Sequence, residues 1–274
     1  MNNYLFFRTD RIGDFLVSAI LLKSIKNNDK KSHITVVASR KNFFYIKTFN
    51  FIDEVFLYPE DLINKISLFY KLNKKKYSLI CALDGKKRSI YFSILLKSEK
   101  KFLMTTKVFF KKIFNYFFEK IFVFKDSENK IEEIKEVLRN CRFTFNRDDV
   151  NFLDKYNLFS RKFSFEPNYS LIHFDEKWIH NDYIKKYKSI EPTLDEFVVF
   201  INDLALKSKL NVVISTGLVS NNILKEFNNS FNKIDEGVYE KIYKNKKIFL
   251  CTNLNFFDLK SLIKNCKYLI TCHG

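Results

Sequence analysis

Apolar positions along this chain fall into two alternating rhythms. Tyr4–Arg8 is a short, nearly unbroken apolar run, the mark of a strand buried on both faces. Asp14–Asn27 then spaces Phe15, Ile20, Leu21, Leu22 and Ile25 as a helix does. The alternation repeats: HITVVAS reads as a strand, KNFFYIKTF as a short helix and IDEVFLYP as a strand closed by Pro59. Leu62–Leu72 is helical in spacing, YSLICALDG a strand ending at a turn glycine, Arg88–Leu96 a helix, and KKFLMT strand-like. Strands alternating with helices at this interval predict a parallel sheet with helices over both faces.

The stretch VFFKKIFNYFFEKIFVF, Val108–Phe124, sets Phe110, Ile113, Phe114, Phe117 and Ile121 on one side of a predicted helix. Lys111, Lys112, Asn115, Glu119 and Lys120 fall opposite. Such a helix either packs on its own sheet or lies on an anionic membrane surface, and the pattern alone admits both. Ser127 is placed to cap a more polar helix running through Arg139. Periodicity fades between Phe143 and Asn168, which puts a first domain at residues 1–150 and a second at 151–274.

The second domain repeats the alternation, with strands at YSLIHF, NVVISTG, KIFLC and YLIT. Helices are predicted over Leu194–Lys207, within Asn221–Phe231 and over Phe256–Cys266. Thr193 and Glu196 form a capping box ahead of the first of them, hydroxyl and carboxylate satisfying reciprocal backbone donors. The fold class is therefore α/β, with two Rossmann-like domains. The chain stops on the strand YLITCHG with no covering helix, so the second domain reads as truncated.

Charge changes this picture more than composition does. The formal net charge of +17 attracts polyanions: nucleic acid, an anionic membrane or phosphorylated small molecules. The lysines, however, lie in short scattered runs, as on a solvated surface. The 5 cysteines are odd in number and without framework spacing, and most sit in apolar runs. No apolar run is long enough to cross a bilayer and no signal-peptide pattern precedes the first strand, so the expected compartment is the reducing cytoplasm.

Candidate chemistry concentrates in Arg-Thr-Asp-Arg-Ile-Gly-Asp, Arg8–Asp14, between the first strand and its helix. In open α/β sheets ligands bind at that end of the strands. Gly13 lets the backbone bend tightly or approach a ligand, and Arg8 and Arg11 are suited to hold an anionic substrate. Asp14 is either a helix N-cap or a reactive carboxylate. One glycine does not make a dinucleotide fingerprint or a P-loop. Cys251, Cys266, Cys272 and His273 match no common zinc spacing, and His173 and His180 have no evident Cys or Ser partner for nucleophilic catalysis.

YLFFRTDRIGDFLVSAILLKSIK resembles the opening of glycosyltransferase family 9, the heptosyltransferase-like enzymes of lipopolysaccharide core assembly, with its strand, R-x-(D/S)-x-I-G-D loop and L-L-x-x-x-L-K helix. SHITVVASRKNFFYIKTFNFIDEVFLYP, KKYSLICALDGKKRS, SLIHFDEKW, NVVISTG and LIKNCKYLITCHG resemble later family segments in the same order. The resemblance implies a GT-B architecture, with an acceptor-side N-terminal domain and a nucleotide-sugar-binding C-terminal domain. It implies Asp14 as the general base of an inverting transfer, with Arg8, Arg11 and Gly13 on the acceptor side. Lys177, Thr216, Gly217, Cys272, His273 and Gly274 would then meet the donor.

No Asp-x-Asp pair is present, so neither a metal nor a cofactor is signalled beyond a nucleotide-sugar co-substrate such as ADP-heptose. The implied partners are that donor and a lipid-linked or polysaccharide acceptor, with an anionic membrane surface at the inner face of the cytoplasmic membrane and no nucleic acid. Three departures stand out: Ile20 in place of a proline, Lys177 directly beside Trp178, and Cys272-His273 in place of Asp-Ser. They leave open a different donor or an inactive family member. A non-enzymatic polyanion-binding protein is the reading from another class.

Overall fold

In the computed structural model, residues 1–124, 129–151, 161–174, 192–216 and 222–271 are described. The chain divides into two units, Met1–Tyr156 and Asn157–Gly274. In the first, β1 (Asn3–Arg8) is followed by α1 (Ile12–Asn28), β2 (His33–Ala38), α2 (Phe43–Ile46), β3 (Glu54–Leu57) and α3 (Leu62–Asn73). Then come β4 (Tyr77–Ala82), α4 (Lys87–Leu95), β5 (Ser98–Thr105), α5 (Val108–Phe114), β6 (Lys120–Val123) and α6 (Lys130–Asn140).

The strands form one parallel sheet in the order β3-β2-β1-β4-β5-β6, which reverses direction between β1 and β4. The apolar run in β1 has the expected consequence: Leu5, Phe6 and Phe7 are all fully buried. Leu5 and Phe7 point to one face, where Leu68 and Leu72 of α3 and Phe92 of α4 pack with them. Each such side chain contributes about 1.5–3 kcal/mol on burial.

One expectation for this unit fails. Residues 108–124 are not a single helix: α5 ends at Phe114, and KIFV pairs with β5 as an edge strand. Phe110, Phe114 and Ile121 are buried as the helical pattern required, but Ile113 and Phe117, assigned to the same side, are exposed. A second difference is the cap of α6. Asn129 is the N-cap, its side chain accepting from Ile131 N, whereas Ser127 lies outside the described residues.

The second unit contains β7 (Tyr169–Phe174), α7 (Leu194–Ser208), β8 (Val212–Thr216), α8 (Asn222–Asn228), β9 (Asn232–Asp235), β10 (Val238–Tyr243), β11 (Lys246–Cys251), α9 (Phe256–Asn265) and β12 (Cys266–Thr271). Its sheet runs β12-β7-β8-β11-β10-β9. The first four strands in that order are parallel, while β9 and β10 are antiparallel additions that the apolar pattern did not reveal. The Thr193–Glu196 capping box is present at the start of α7. Phe197, Ile201 and Ala205 of α7 pack on Ile172, Phe174, Val212 and Ile214 on one face of this sheet. Leu262 of α9 packs with Leu171 and Val213 on the other. Among the described residues no helix is long and apolar enough to cross a membrane.

Candidate active site

The loops leaving β1 and β4 meet at the point where the strand order of the first sheet reverses, the usual ligand position in such sheets. They are tied together at Thr9. Its backbone N–H and its hydroxyl both donate to Asp84 Oδ2, at 2.9 and 2.6 Å, and the Ser89 hydroxyl donates to the same oxygen at 2.8 Å. Lys86 N donates to Asp84 Oδ1 at 3.1 Å. From the other side Arg88 Nε donates to Thr9 Oγ1 at 2.8 Å, and its guanidinium also donates to the Thr9 carbonyl. Thr9 is buried, so its polar groups need these partners.

Arg8 accounts for the crowding of acids and bases in RTDRIGD. Its guanidinium donates to the Leu83 carbonyl at 2.5 Å and to the Asp14 carbonyl at 2.7 Å. Nε lies 3.3 Å from Asp10 Oδ1, an ion-pair contact without the alignment of a hydrogen bond, and Nη2 lies 3.9 Å from Asp14 Oδ1. A cation with 12% of its side chain exposed is costly unless paired, and the two carboxylates pair it. Arg8 is therefore a strut joining β4's loop to the first turn of α1. It also borders the first of the two cavities described below.

Asp10 has 14% of its side chain exposed. Burial pushes its carboxyl up from 3.8 to about 6; Arg8 opposes the shift, Asp14 and Asp84 add to it, and Lys86 opposes it. Between these two values the folded protein holds more protons than the unfolded chain, so stability falls as pH rises through that window. Above pH 6 the ionised carboxyl costs the folded state on the order of 3 kcal/mol. Asp10→Asn is expected to raise the melting temperature at pH 8 and to give no gain at pH 4. Thermal melts at both pH values check this; a destabilised variant at pH 8 would mean that the Arg8 ion pair outweighs the burial.

Two cavities flank these loops. The first, about 560 Å³, opens beyond β1, β4 and β5. Asp14 and Asp10 line it, with Lys86, Lys87, Lys107 and Lys130 supplying positive charge. The second, about 630 Å³, lies beyond β1, β2 and β3 and is lined by Arg11, Arg40, Lys41, Lys65 and Arg88 against Asp10 and Glu60. Asp10 and Lys86 border both.

Asp14 is the third residue of α1, and its N-cap is Arg11, so the N-cap reading of Asp14 does not hold. Its side chain is 51% exposed at the first cavity. Gly13 sits in the first turn of α1 with open space where a β-carbon would lie. Its backbone is helical, so the tight-bend role is not required. Sequence reasoning passed over Asp10, Asp84 and the lysines of the first cavity. The signal for Asp10 was present as the other acid of RTDRIGD.

In the second unit Thr216 ends β8, half-buried, beside Phe174 at the end of β7. Lys177, Gly217, Cys272, His273 and Gly274 lie outside the described residues, as does His180. His173 does have a serine partner, contrary to expectation: its Nδ1 is 3.0 Å from Ser215 Oγ, because parallel pairing sets the two residues side by side. Ser215 is fully buried, so the pair offers no nucleophile to a substrate.

No protein-family profile and no curated protein matches the chain. Solved structures do. E. coli heptosyltransferase WaaC with ADP aligns over 98% of this chain and 80% of its own, at 10% identity and a TM-score of 0.66. A glycosyl transferase family 9 protein from Veillonella parvula DSM 2008 aligns over 98% and 75%, at 15% identity and a TM-score of 0.67. E. coli ADP-heptose lps heptosyltransferase II aligns over 99% and 78%, at 11% identity and a TM-score of 0.57. At these identities the likeness is one of fold: the chain has the two-domain α/β architecture of the heptosyltransferase-like GT-B enzymes.

Proposed function

We propose that the protein is an inverting glycosyltransferase of the family 9 type. It moves a sugar from a nucleotide-diphosphate donor to a hydroxyl of an anionic cell-surface glycan or lipid-linked acceptor. One observation carries the reading: an accessible carboxylate, Asp14, stands at the strand-order reversal of the first sheet, in a cavity lined also by Lys86, Lys87, Lys107 and Lys130 and by the acids Asp10, Asp84 and Glu133. Asp14 takes the proton of the acceptor hydroxyl as that oxygen forms its bond to the anomeric carbon. The bond from that carbon to the diphosphate oxygen breaks on the opposite side, and the nucleotide diphosphate leaves with the electron pair. A diphosphate leaves readily, so one carboxylate suffices, whereas hydrolysis of a glycosidic bond wants two.

The cations of the second cavity, Arg11 among them, suit carboxylate or phosphate groups of the acceptor. Arg8 holds the first turn of α1, which carries Asp14. On the donor side Thr216, Lys177, Gly217 and Cys272 to Gly274 are the candidates to meet sugar and diphosphate through side chains and backbone N–H groups. The binding of ADP and of ADP-2-deoxy-2-fluoro heptose by WaaC supports a nucleotide sugar as partner, ADP-heptose included.

A panel of nucleotide sugars tested by thermal shift checks the donor. A true donor at a hundred times its dissociation constant is expected to add about 2.7 kcal/mol of stability. The stabilising donor should then release its nucleotide diphosphate only when an acceptor is supplied. Stabilisation by DNA and by none of the nucleotide sugars would favour the polyanion-binding reading instead.

A further inference from the structure

Helices α3, α4 and α5 together cover one face of the first sheet. Ile80 and Ala82 point the same way from β4. Ile80 shares a core with Leu68 and Leu72 of α3, and Ala82 shares one with Ile90 of α4 and Phe110 and Phe114 of α5. Ring contacts join neighbouring helices side by side, Phe69 to Phe92 at 6.4 Å and Tyr91 to Phe114 at 6.5 Å.

The outer side of this layer is also apolar. On α3, Ile63, Ile66 and Tyr70 form a stripe and are 81%, 48% and 65% exposed. On α4, Tyr91 and Leu95 stand one turn apart, both exposed. Val108, Phe109 and Ile113 of α5 continue the surface, and Tyr116 in the following turn is 91% exposed. Soluble surfaces rarely gather so many large apolar side chains in one place without a use for them.

The charges on these helices have one sign. LINKISLFYKLN, KRSIYFSIL and VFFKKIF contain no Asp or Glu, while Lys65, Lys71, Lys111 and Lys112 are among their basic residues. Chain composition does not explain this. On α6, packed against α1, KIEEIKEVLRN carries Glu132, Glu133 and Glu136. Protein interfaces deplete lysine from their apolar centres, and single-stranded nucleic acid is bound by stacking aromatics in a basic groove rather than by a broad surface of exposed isoleucine and leucine. Aromatic and aliphatic side chains interspersed with lysine, without carboxylates, match the boundary of an anionic bilayer, where chains and headgroups meet.

We propose that the outer face of α3, α4 and α5 is a docking surface for an anionic lipid bilayer. The assignment stands apart from the catalytic reading, since it uses neither Asp14 nor the cavities' carboxylates.

Cosedimentation of the full chain with vesicles tests it, using phosphatidylcholine alone and phosphatidylcholine mixed with phosphatidylglycerol. The protein is expected to pellet with the anionic vesicles and to stay in solution with the neutral ones. Ile66→Glu combined with Ile113→Glu is expected to weaken that binding about tenfold or more. Lys111→Glu with Lys112→Glu, which keeps the apolar stripe, is expected to lose the preference for anionic vesicles with an unchanged melting temperature. Val199→Glu, at an exposed position of α7, is expected to bind as the parent does. Any of four results would overturn the proposal: no vesicle binding by the parent, undiminished binding by both variants, equal loss in Val199→Glu, or a parent dimer that the isoleucine variant dissociates while vesicles bind neither.

Discussion

Replacing Asp14 by Asn is expected to lower kcat for sugar transfer by about 10²–10⁴-fold and to leave donor-induced thermal stabilisation unchanged. The amide keeps the shape of the carboxylate and its place in the first turn of α1. It also keeps an oxygen within reach of Arg8, 3.9 Å away in the parent. What it loses is the capacity to take a proton from an attacking hydroxyl. A loss confined to kcat therefore identifies proton removal rather than binding. The comparison with Asp10→Asn sharpens the test. Asp10 also borders the cavity, and burial pushes its carboxyl up to about 6, yet it has little exposure and faces Arg8. If the Asp10 variant loses more turnover than the Asp14 variant, the base has been assigned to the wrong acid. If neither loses any, the protein does not work by acid–base transfer at this loop.

Much of this site could be read in the sequence because it lies where an apolar strand stops abruptly. Leu5, Phe6 and Phe7 specify a buried central strand, and the polar residues that follow must then lie at the sheet's ligand-facing edge. What could not be read was how those polar residues share one another. Arg8 reads in the sequence as a holder of anions, and only the folded arrangement of the Leu83 and Asp14 carbonyls around it shows that it is also a strut. Asp84 lies 75 residues beyond Thr9, so no local pattern announces their bond.

The misread elements have a common cause. In residues 108–124 phenylalanine is so frequent that it satisfies a helical period across the turn between α5 and β6, where no Gly or Pro interrupts. The hairpin of β9 and β10 escaped for the opposite reason. Along β9 and β10 only Val238 is buried, so the edge strands carry little apolar signal. Gly237, at φ +66°, does mark the turn between them, but the link between β10 and β11 places Lys244 at φ +53°, a conformation that glycine or asparagine usually announces.

Asp84→Ala is expected to destabilise the first unit by about 3 kcal/mol and to reduce transfer beyond what the unfolded fraction explains. The carboxylate accepts from Thr9 N, the Thr9 hydroxyl, the Ser89 hydroxyl and Lys86 N, and Thr9 and Ser89 are themselves buried. Alanine leaves those donors without an acceptor, and each buried donor so stranded costs roughly 1–3 kcal/mol, with water recovering part of the total. The same change removes the negative charge beside Arg88 and Lys86, which converge on Thr9 from the other side. The segment after Thr9 then loses one of its ties to the loop leaving β4, and Arg8 is left to hold the first turn of α1 against Leu83. Asp84→Asn keeps one acceptor oxygen and is expected to fall between the parent and the alanine variant. Urea unfolding monitored for midpoint and slope, alongside transfer rates at saturating donor and acceptor, separates the two effects. Equal midpoints for all three proteins would show that the Thr9–Asp84 tie does not hold the site together.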